Sequence, residues 1–420
     1  MRITGPLGDT KVMAITDFLP VLSSLLAGEL AQMRRRSGFQ LEPADISRST
    51  CLMGGDAAIE PSEIPQLAAA IDEMFQLSES GAGDCLLRAQ TVGDWADALS
   101  STFGEGAESI TFKTSGSTGK PKRCSHRIED LQREAAEHAA TFRDCGRILS
   151  MAPAHHVYGF TWAVMLPGRL SVEVVDIRRW SPSKLSVNLQ PGDLIVGTLP
   201  FWRYVSDFPD IFPFQVRGVT SGEPCPASLF SVLGQQGLWL TDVYGATETG
   251  GIGCRSSGQD PFTLFSYWRK GGSGKLVRGH DEGEEVELPD LLDWKDERHF
   301  TVRGRKDAVV QVRGAKVIPQ RVADYIRSHP AVKDCCVRLM RPEEGDRLKA
   351  FVVWRGEASA GKEMEEWLFR KLRPDEIPAS IVFGHRLPRN EMGKLSDWDC
   401  PVSLPLSGQP PETVYQTASR

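Results

Sequence analysis

The nine residues Thr114-Ser-Gly-Ser-Thr-Gly-Lys-Pro-Lys122 constrain this chain more than any other stretch. They hold two glycines, four hydroxyl-bearing residues and two lysines, so the segment offers many donors and has little to bury. Successive small residues let backbone N–H groups curl around an anion, and lysine adds mobile positive charge. Upstream, Ser109-Ile-Thr-Phe112 predicts a short strand; downstream, the pattern predicts a helix over 126–143, with Ile128 and Leu131 three apart. The expected unit is strand, glycine-rich loop and helix, a common phosphate cradle. It differs from the loop in which Gly-Lys is followed by Ser or Thr, because Pro121 follows Lys120. Taken alone, the segment also suits a flexible Ser/Gly connector.

A chain of 420 residues has room for two or three domains. Its net charge of −6 argues against a nucleic-acid binder, which would ordinarily be basic. Nine cysteines without a C-x-x-C pair read as reduced thiols in a cytoplasmic protein, not as a disulfide frame or zinc site. Charges at Arg2, Asp9, Lys11 and Asp17 argue against a signal peptide, and no apolar run approaches the roughly 20 residues of a membrane span.

Before the glycine-rich loop, helices are expected at 15–33, 62–77 and 92–99, with Arg34-Arg35-Arg36 at a solvated helix end. After it, 147–152, 171–177, 193–198 and 216–220 read as strands of an α/β layer structure. Asp242-Val-Tyr-Gly-Ala-Thr-Glu-Thr-Gly-Gly251 reads as a glycine-flanked loop. It places a ring (Tyr244), a hydroxyl (Thr247) and a carboxylate (Glu248) within five positions: the ring suits a base, the hydroxyl a phosphate, the carboxylate a hard cation. Adjacent His155 and His156 invite a metal reading, but no further Cys/His/Asp cluster follows at ligand spacing. From Pro319 onward the pattern is a compact α+β domain: helices from Pro319 and over 363–372, strands at 334–340, 349–354 and 380–383. The tail after about 401, rich in Pro, Ser, Gly and Thr, reads as mobile.

Together these motifs resemble those of the AMP-forming adenylating enzymes: acyl-CoA synthetases, peptide-synthetase adenylation domains and luciferases. Four of them occur in family order: Thr114–Lys122, Tyr244-Gly-Ala-Thr-Glu248, Asp290 with Gly304-Arg305-Lys306-Asp307, and Pro388 to Gly393-Lys394. The resemblance implies a large α/β N-terminal domain of layered sheets and helices, residues 1–305, with a reduced part over 1–110. A smaller, mobile α+β C-terminal domain would cover 306–420. It implies that Thr114, Ser115, Gly116, Ser117, Thr118, Gly119, Lys120 and Lys122 bind ATP phosphates. Gly222, Glu223, Pro224 and Tyr244 would meet adenine, and Asp290 and Arg305 the ribose. Thr247 would contact the α-phosphate, Glu248 would carry Mg²⁺, and Lys394 would reach in from the small domain. Asp307 would be the hinge and Gly314 part of a thioester channel. His156 would close an acyl pocket also lined by Tyr158, Trp162, Gly245 and Gly250.

The implied reaction is ATP-dependent activation of a carboxylic acid to an acyl-adenylate, then transfer to coenzyme A or to the phosphopantetheine of a carrier protein. The short N-terminal region and the Ala-Thr-Glu-Thr-Gly-Gly run most resemble short bacterial 4-coumarate–CoA ligase-like proteins, hence an aromatic acid. A ligase loading aryl acids onto an acyl carrier protein for an aromatic polyene pigment is the alternative. A non-catalytic adenylate-binding sensor is the alternative of another class. Gln311 and Asp397 stand where the family usually has Lys and Arg.

Overall fold

The computed structural model describes residues 17–34, 41–55, 57, 59–77, 83–104, 108–113, 122–272, 274–279, 283–305, 310–313, 315–355, 360–389, 395–399 and 414–417. Helices α1 (Leu19–Met33), α2 (Ile64–Phe75), α3 (Gly83–Arg88) and α4 (Val92–Gly104) come first. Pro20 opens α1, where a missing N–H costs nothing, and Val21, Leu22, Leu25 and Leu26 are buried. Arg34, expected at a solvated end, is instead paired with Glu63, Nε to Oε1 at 2.6 Å, with both side chains mostly buried. The start of α2 brings that carboxylate alongside. The N-terminal helices share one core with Ile110, Phe112, Ile128, Leu131 and Phe160. The reduced N-terminal part therefore buttresses the strand that precedes the glycine-rich loop.

That strand, β1 (Ser109–Lys113), pairs antiparallel with β2 (Arg123–Arg127), Lys113 opposite Arg123. Here the expectation is corrected: 123–127 is strand, and helix α5 spans only Ile128–Thr141. The chain stays extended through Arg127 (ψ 137°) because β1 offers it a ladder partner and His126 is buried on that face. Residues 114–121 thus join two strands of a hairpin; they lie outside the described residues.

The main sheet has two halves. Strands β3 (Arg147–Ser150), β4 (Glu173–Asp176), β5 (Asp193–Val196), β6 (Val216–Ser221) and β7 (Leu238–Ala246) pair in parallel, in the order β4-β3-β5-β6-β7. All four residues of β5 are buried, as a parallel strand covered on both faces requires. From β7 onward pairing is antiparallel, through β8 (Gly250–Arg255) and β9 (Phe262–Leu264). Strands β10 (Trp268–Lys270), β11 (Lys275–Arg278) and β12 (Glu284–Glu287) form a separate antiparallel sheet. The chain then returns as β13 (Asp290–Trp294) and β14 (His299–Arg305), giving nine described strands in the order β13-β14-β9-β8-β7-β6-β5-β3-β4.

The smaller C-terminal domain opens with the pair β15 (Val310–Val312) and β16 (Ala315–Val317). Helix Pro319–Arg327 buries Val322, Ala323 and Ile326. It packs on a four-stranded sheet of β17 (Val332–Leu339), β18 (Leu348–Trp354), β19 (Ser380–Gly384) and β20 (Val414–Thr417). Within the tail expected to be mobile, residues 414–417 instead form a parallel edge strand, Val414 opposite Ser380. Val, Tyr and Thr favour such a strand, and β19 would otherwise present a bare edge. The large α/β domain with a smaller α+β partner matches the expected fold class; the expected boundary at 305/306 borders residues 306–309, which lie outside the described residues.

Candidate active site

The site is built where the parallel half of the sheet meets the antiparallel half. Tyr244, Gly245 and Ala246 end β7, and Thr247–Thr249 turn the chain into β8. The expected loop is thus a strand end and a tight hairpin turn. Two buried side chains hold that turn by its carbonyls. His126 of β2 presents Nε2 to the Thr247 oxygen at 2.6 Å, so this nitrogen carries the proton. Burial lowers the pKa of this imidazole. From β11, Arg278 donates Nη2 to the Thr249 oxygen at 2.9 Å and Nη1 to Asp130 Oδ2 at 2.9 Å. The Ala246 N–H donates to Thr249 Oγ1 at 3.1 Å, closing the turn on itself. A Cβ at Gly245 would stand 2.3 Å from the Gly250 carbonyl oxygen, so the close crossing of the two strands requires glycine.

Tyr244 is braced by Phe262 and Phe300, each with ring centroids 5.6 Å away, and its hydroxyl donates to Asp290 Oδ2 at 2.8 Å. Asp290 and Arg305 are direct cross-strand partners on β13 and β14, which explains their spacing of fifteen in sequence. Nearby Asp293 instead pairs with Arg303 at the surface. Asp242, earlier on β7, is buried against Arg255 with Oδ2 and Nε 3.0 Å apart; burial pushes its carboxyl up to about 6, against the pull of Arg255.

A cavity gathers the expected residues His156 and Tyr158, Gly222, Gly245, Thr247 and Gly250. His156 precedes the helical turn Val157–Phe160, and its carbonyl accepts from the Phe160 N–H at 2.7 Å. Tyr158 directs its hydroxyl to the carbonyls of Gly197 and Val219, at 3.0 and 3.2 Å. Trp162 is corrected: it is fully buried, stacked on His138 at 4.1 Å, and belongs to the core instead of lining the cavity. It lies in a π-helical segment, Thr161–Met165, all of whose residues are buried. Gly222 takes φ +94°, a left-handed value that favours glycine, just before Glu223 and Pro224. The Glu223 carboxylate accepts from Arg389 Nη1 of the small domain at 2.6 Å.

Glu248 is exposed at the tip of the turn; burial, and after it the charge of Glu248, raises the pKa of the Cys124 thiol while Lys122 opposes it. An exposed carboxylate beside a hydroxyl on one turn fits an oxygen-seeking Mg²⁺. Thr114, Ser115, Gly116, Ser117, Thr118, Gly119 and Lys120 lie outside the described residues, as do Asp307, Gly314 and Lys394. Sequence reading passed over Glu134 and Lys113, which also line the cavity. It passed over His126 and Arg278 too. For Glu134 a signal existed: it sits three residues after Leu131 and four before His138, on the apolar stripe of α5.

Residues 110–282 match the family model described as AMP-binding enzyme, and 322–394 match that of the AMP-binding enzyme C-terminal domain. A 4-coumarate–CoA ligase from Halorhodospira halophila is 34% identical over 386 residues, covering 90% of this chain and 98% of that protein. The chain belongs to the AMP-binding enzyme family. Another AMP-binding relative, a 4-coumarate–CoA ligase from Cereibacter sphaeroides, is 34% identical, covering 85% of this chain and 86% of its own. A 3,4-dihydroxybenzoate–[aryl-carrier protein] ligase from Bacillus anthracis is 26% identical, covering 69% of this chain and 72% of its own. ATP-bound MatB from Rhodopseudomonas palustris shares the AMP-binding fold, with a TM-score of 0.57 at 16% identity over 89% of this chain and 91% of that one. No helix among the described residues is long and apolar enough to cross a membrane.

Proposed function

We propose that the acid taken by this AMP-forming acid–thiol ligase is aromatic, of the 4-coumarate or hydroxybenzoate type, and that the acceptor thiol is coenzyme A. The observation that carries this reading is the cavity shared by His156, Tyr158, Gly222 and Thr247, beside the Tyr244–Asp290 pair. It brings the residues assigned to the acyl side, His156 and Tyr158, together with Gly222 and Thr247 of the nucleotide side. The 4-coumarate–CoA ligase relatives supply the acid and the thiol.

A carboxylate is a poor acyl donor, and ATP makes it a good one. In the first half-reaction the carboxylate attacks the α-phosphate and pyrophosphate leaves. Tyr244 presents its ring to adenine, Asp290 and Arg305 hold the ribose hydroxyls, and Thr247 donates to the α-phosphate. Thr114–Lys122 cradles the outer phosphates, and Lys394 places positive charge where negative charge develops. Glu248 is the residue that would hold Mg²⁺, which when bound neutralises phosphate charge. His156 closes the acyl side. In the second half-reaction the small domain turns about Asp307 and the thiol enters past Gly314, expelling AMP. No side-chain nucleophile is needed.

Retained Glu248 and Lys394 favour an enzyme over a sensor, and Asp397 has a structural role of its own. Its carboxylate lies 3.0 Å from the ammonium of fully buried Lys349, so its difference from the usual Arg has a structural cause. The test is acid-dependent pyrophosphate exchange, then thioester formation with CoA and with a carrier protein. 4-Coumarate or 4-hydroxybenzoate with CoA should give the fastest turnover. Faster AMP formation with palmitate would overturn the acid; a preference for the carrier protein would overturn the acceptor.

A further inference from the structure

We propose that Glu134 is a specificity-determining residue that accepts a hydrogen bond from a hydroxyl on the ring of the acid; this rests on the aromatic-acid reading above. Its carboxylate lines the cavity that also holds His156 and Tyr158, and its side chain is 7% exposed. Two glycines make room for it. A Cβ at Gly250 would stand 2.5 Å from Oε2, and one at Gly251 would stand 2.8 Å from Oε1. The carboxylate is therefore seated against bare backbone.

Its known partners leave acceptor capacity. Oε2 accepts from the Gly251 N–H at 3.0 Å. Oε1 is 3.5 Å from His138 Nε2, beyond a well-formed hydrogen bond. A carboxylate takes about four hydrogen bonds. The other charged side chain on the cavity, Lys113, is held by Glu73 at 2.7 Å. A ring hydroxyl inserted beside Val157 and Val243 would donate to Glu134, whereas an unsubstituted ring would strip water from the carboxylate and return nothing. Sites built this way reject the analogue lacking the donor, because the protein group is left without a partner. Glu134 would also repel an acid carrying a second carboxylate at that end.

The full-length wild type, Glu134→Gln and Glu134→Met are compared by pyrophosphate exchange with 4-coumarate and with cinnamate, which differ only by the ring hydroxyl. The wild type should favour 4-coumarate in kcat/KM by roughly 10–100-fold, the scale for one hydrogen bond to a charged group. Glu134→Met should bring the two acids close to parity, by weakening 4-coumarate and relieving the penalty on cinnamate, and Glu134→Gln should fall between. Retained exchange with cinnamate shows that a variant is folded; if Glu134→Met does not fold, Glu134→Gln decides. A preference unchanged by substitution overturns the role of Glu134 and leaves the aromatic-acid reading standing. A wild type that activates other acids but neither of these overturns that reading, and the proposal with it.

Discussion

His126 brings a neutral imidazole into the wall of the site, and its neutrality has a measurable consequence. Burial lowers its pKa from the ordinary 6.5, so between the two values the unfolded chain binds a proton that the folded chain does not. Stability from this residue is complete above about pH 6.5 and declines as pH falls through that value, by at most about 1.4 kcal/mol per pH unit. His126→Gln keeps an amide donor near Thr247 and lacks the titration. The difference in urea midpoint between wild type and variant at about pH 7.5 should therefore shrink at about pH 5.5. An unchanged difference would show that this ring is already charged or free to reach solvent. Glu248 makes the opposite kind of prediction, because it is exposed and has no core role. Glu248→Ala should leave the melting temperature within a degree or so and raise the Mg²⁺ concentration needed for pyrophosphate exchange, roughly 10–100-fold. Wild-type magnesium dependence would remove the metal assignment.

Among the elements, the two hairpins show what a sequence reveals and hides. The ring, hydroxyl and carboxylate of Tyr244, Thr247 and Glu248 were legible, because residue type and spacing carry their chemistry. The turn's supports were not. His126 and Arg278 come from 121 and 29 residues away from the carbonyls they hold, and nothing local marks a side chain that serves a distant backbone. The last two residues of β2, His126 and Arg127, were read as the start of the helix because the partner strand β1 is separated from them by the glycine-rich segment. Asp290 was named from its spacing to Arg305, and register gives that spacing a cause, since the hairpin puts the two opposite one another. In the small domain, Lys349 gathers Glu344 at 2.7 Å, Asp397 and the Trp398 carbonyl at 2.8 Å, fixing the segment just after Lys394. Asp397→Ala should cost about 1–3 kcal/mol in urea unfolding, the scale for leaving a buried donor short of a partner. Asp397→Arg, the family's usual residue, should cost more here because it sets a second cation beside Lys349. Equal stability in all three proteins would mean that Glu344 alone suffices.

At the scale of the whole molecule, the two domains touch through Glu223 of the large one and Arg389 of the small one, the latter five residues before Lys394. If Lys394 acts only while pyrophosphate leaves, Lys394→Ala should slow acyl-adenylate formation by roughly 10²–10³ and leave thioester formation from synthetic acyl-adenylate near normal. Asp307→Pro should do the reverse, since a fixed φ at the hinge blocks rotation. Single-turnover rates of the two half-reactions check both, and equal losses in both steps for both variants would exclude a division of labour between domain positions.

The change of pairing at β7 also governs when a competent molecule can exist during folding. On the antiparallel side, β8 returns to β7 through a three-residue turn, so that contact is local in sequence. On the parallel side, each pairing with β7 and its neighbours waits for a crossover, as helix Ala227–Gln235 lies between β6 and β7. Local contacts form early and distant ones late. In a refolding chain the Tyr244 hairpin can thus exist before the wall holding Gly222 has docked, as half a pocket. Nucleotide in the surroundings has nothing complete to grip until the last crossover closes. Nucleotide added during refolding should therefore act chiefly by holding the finished product, through mass action.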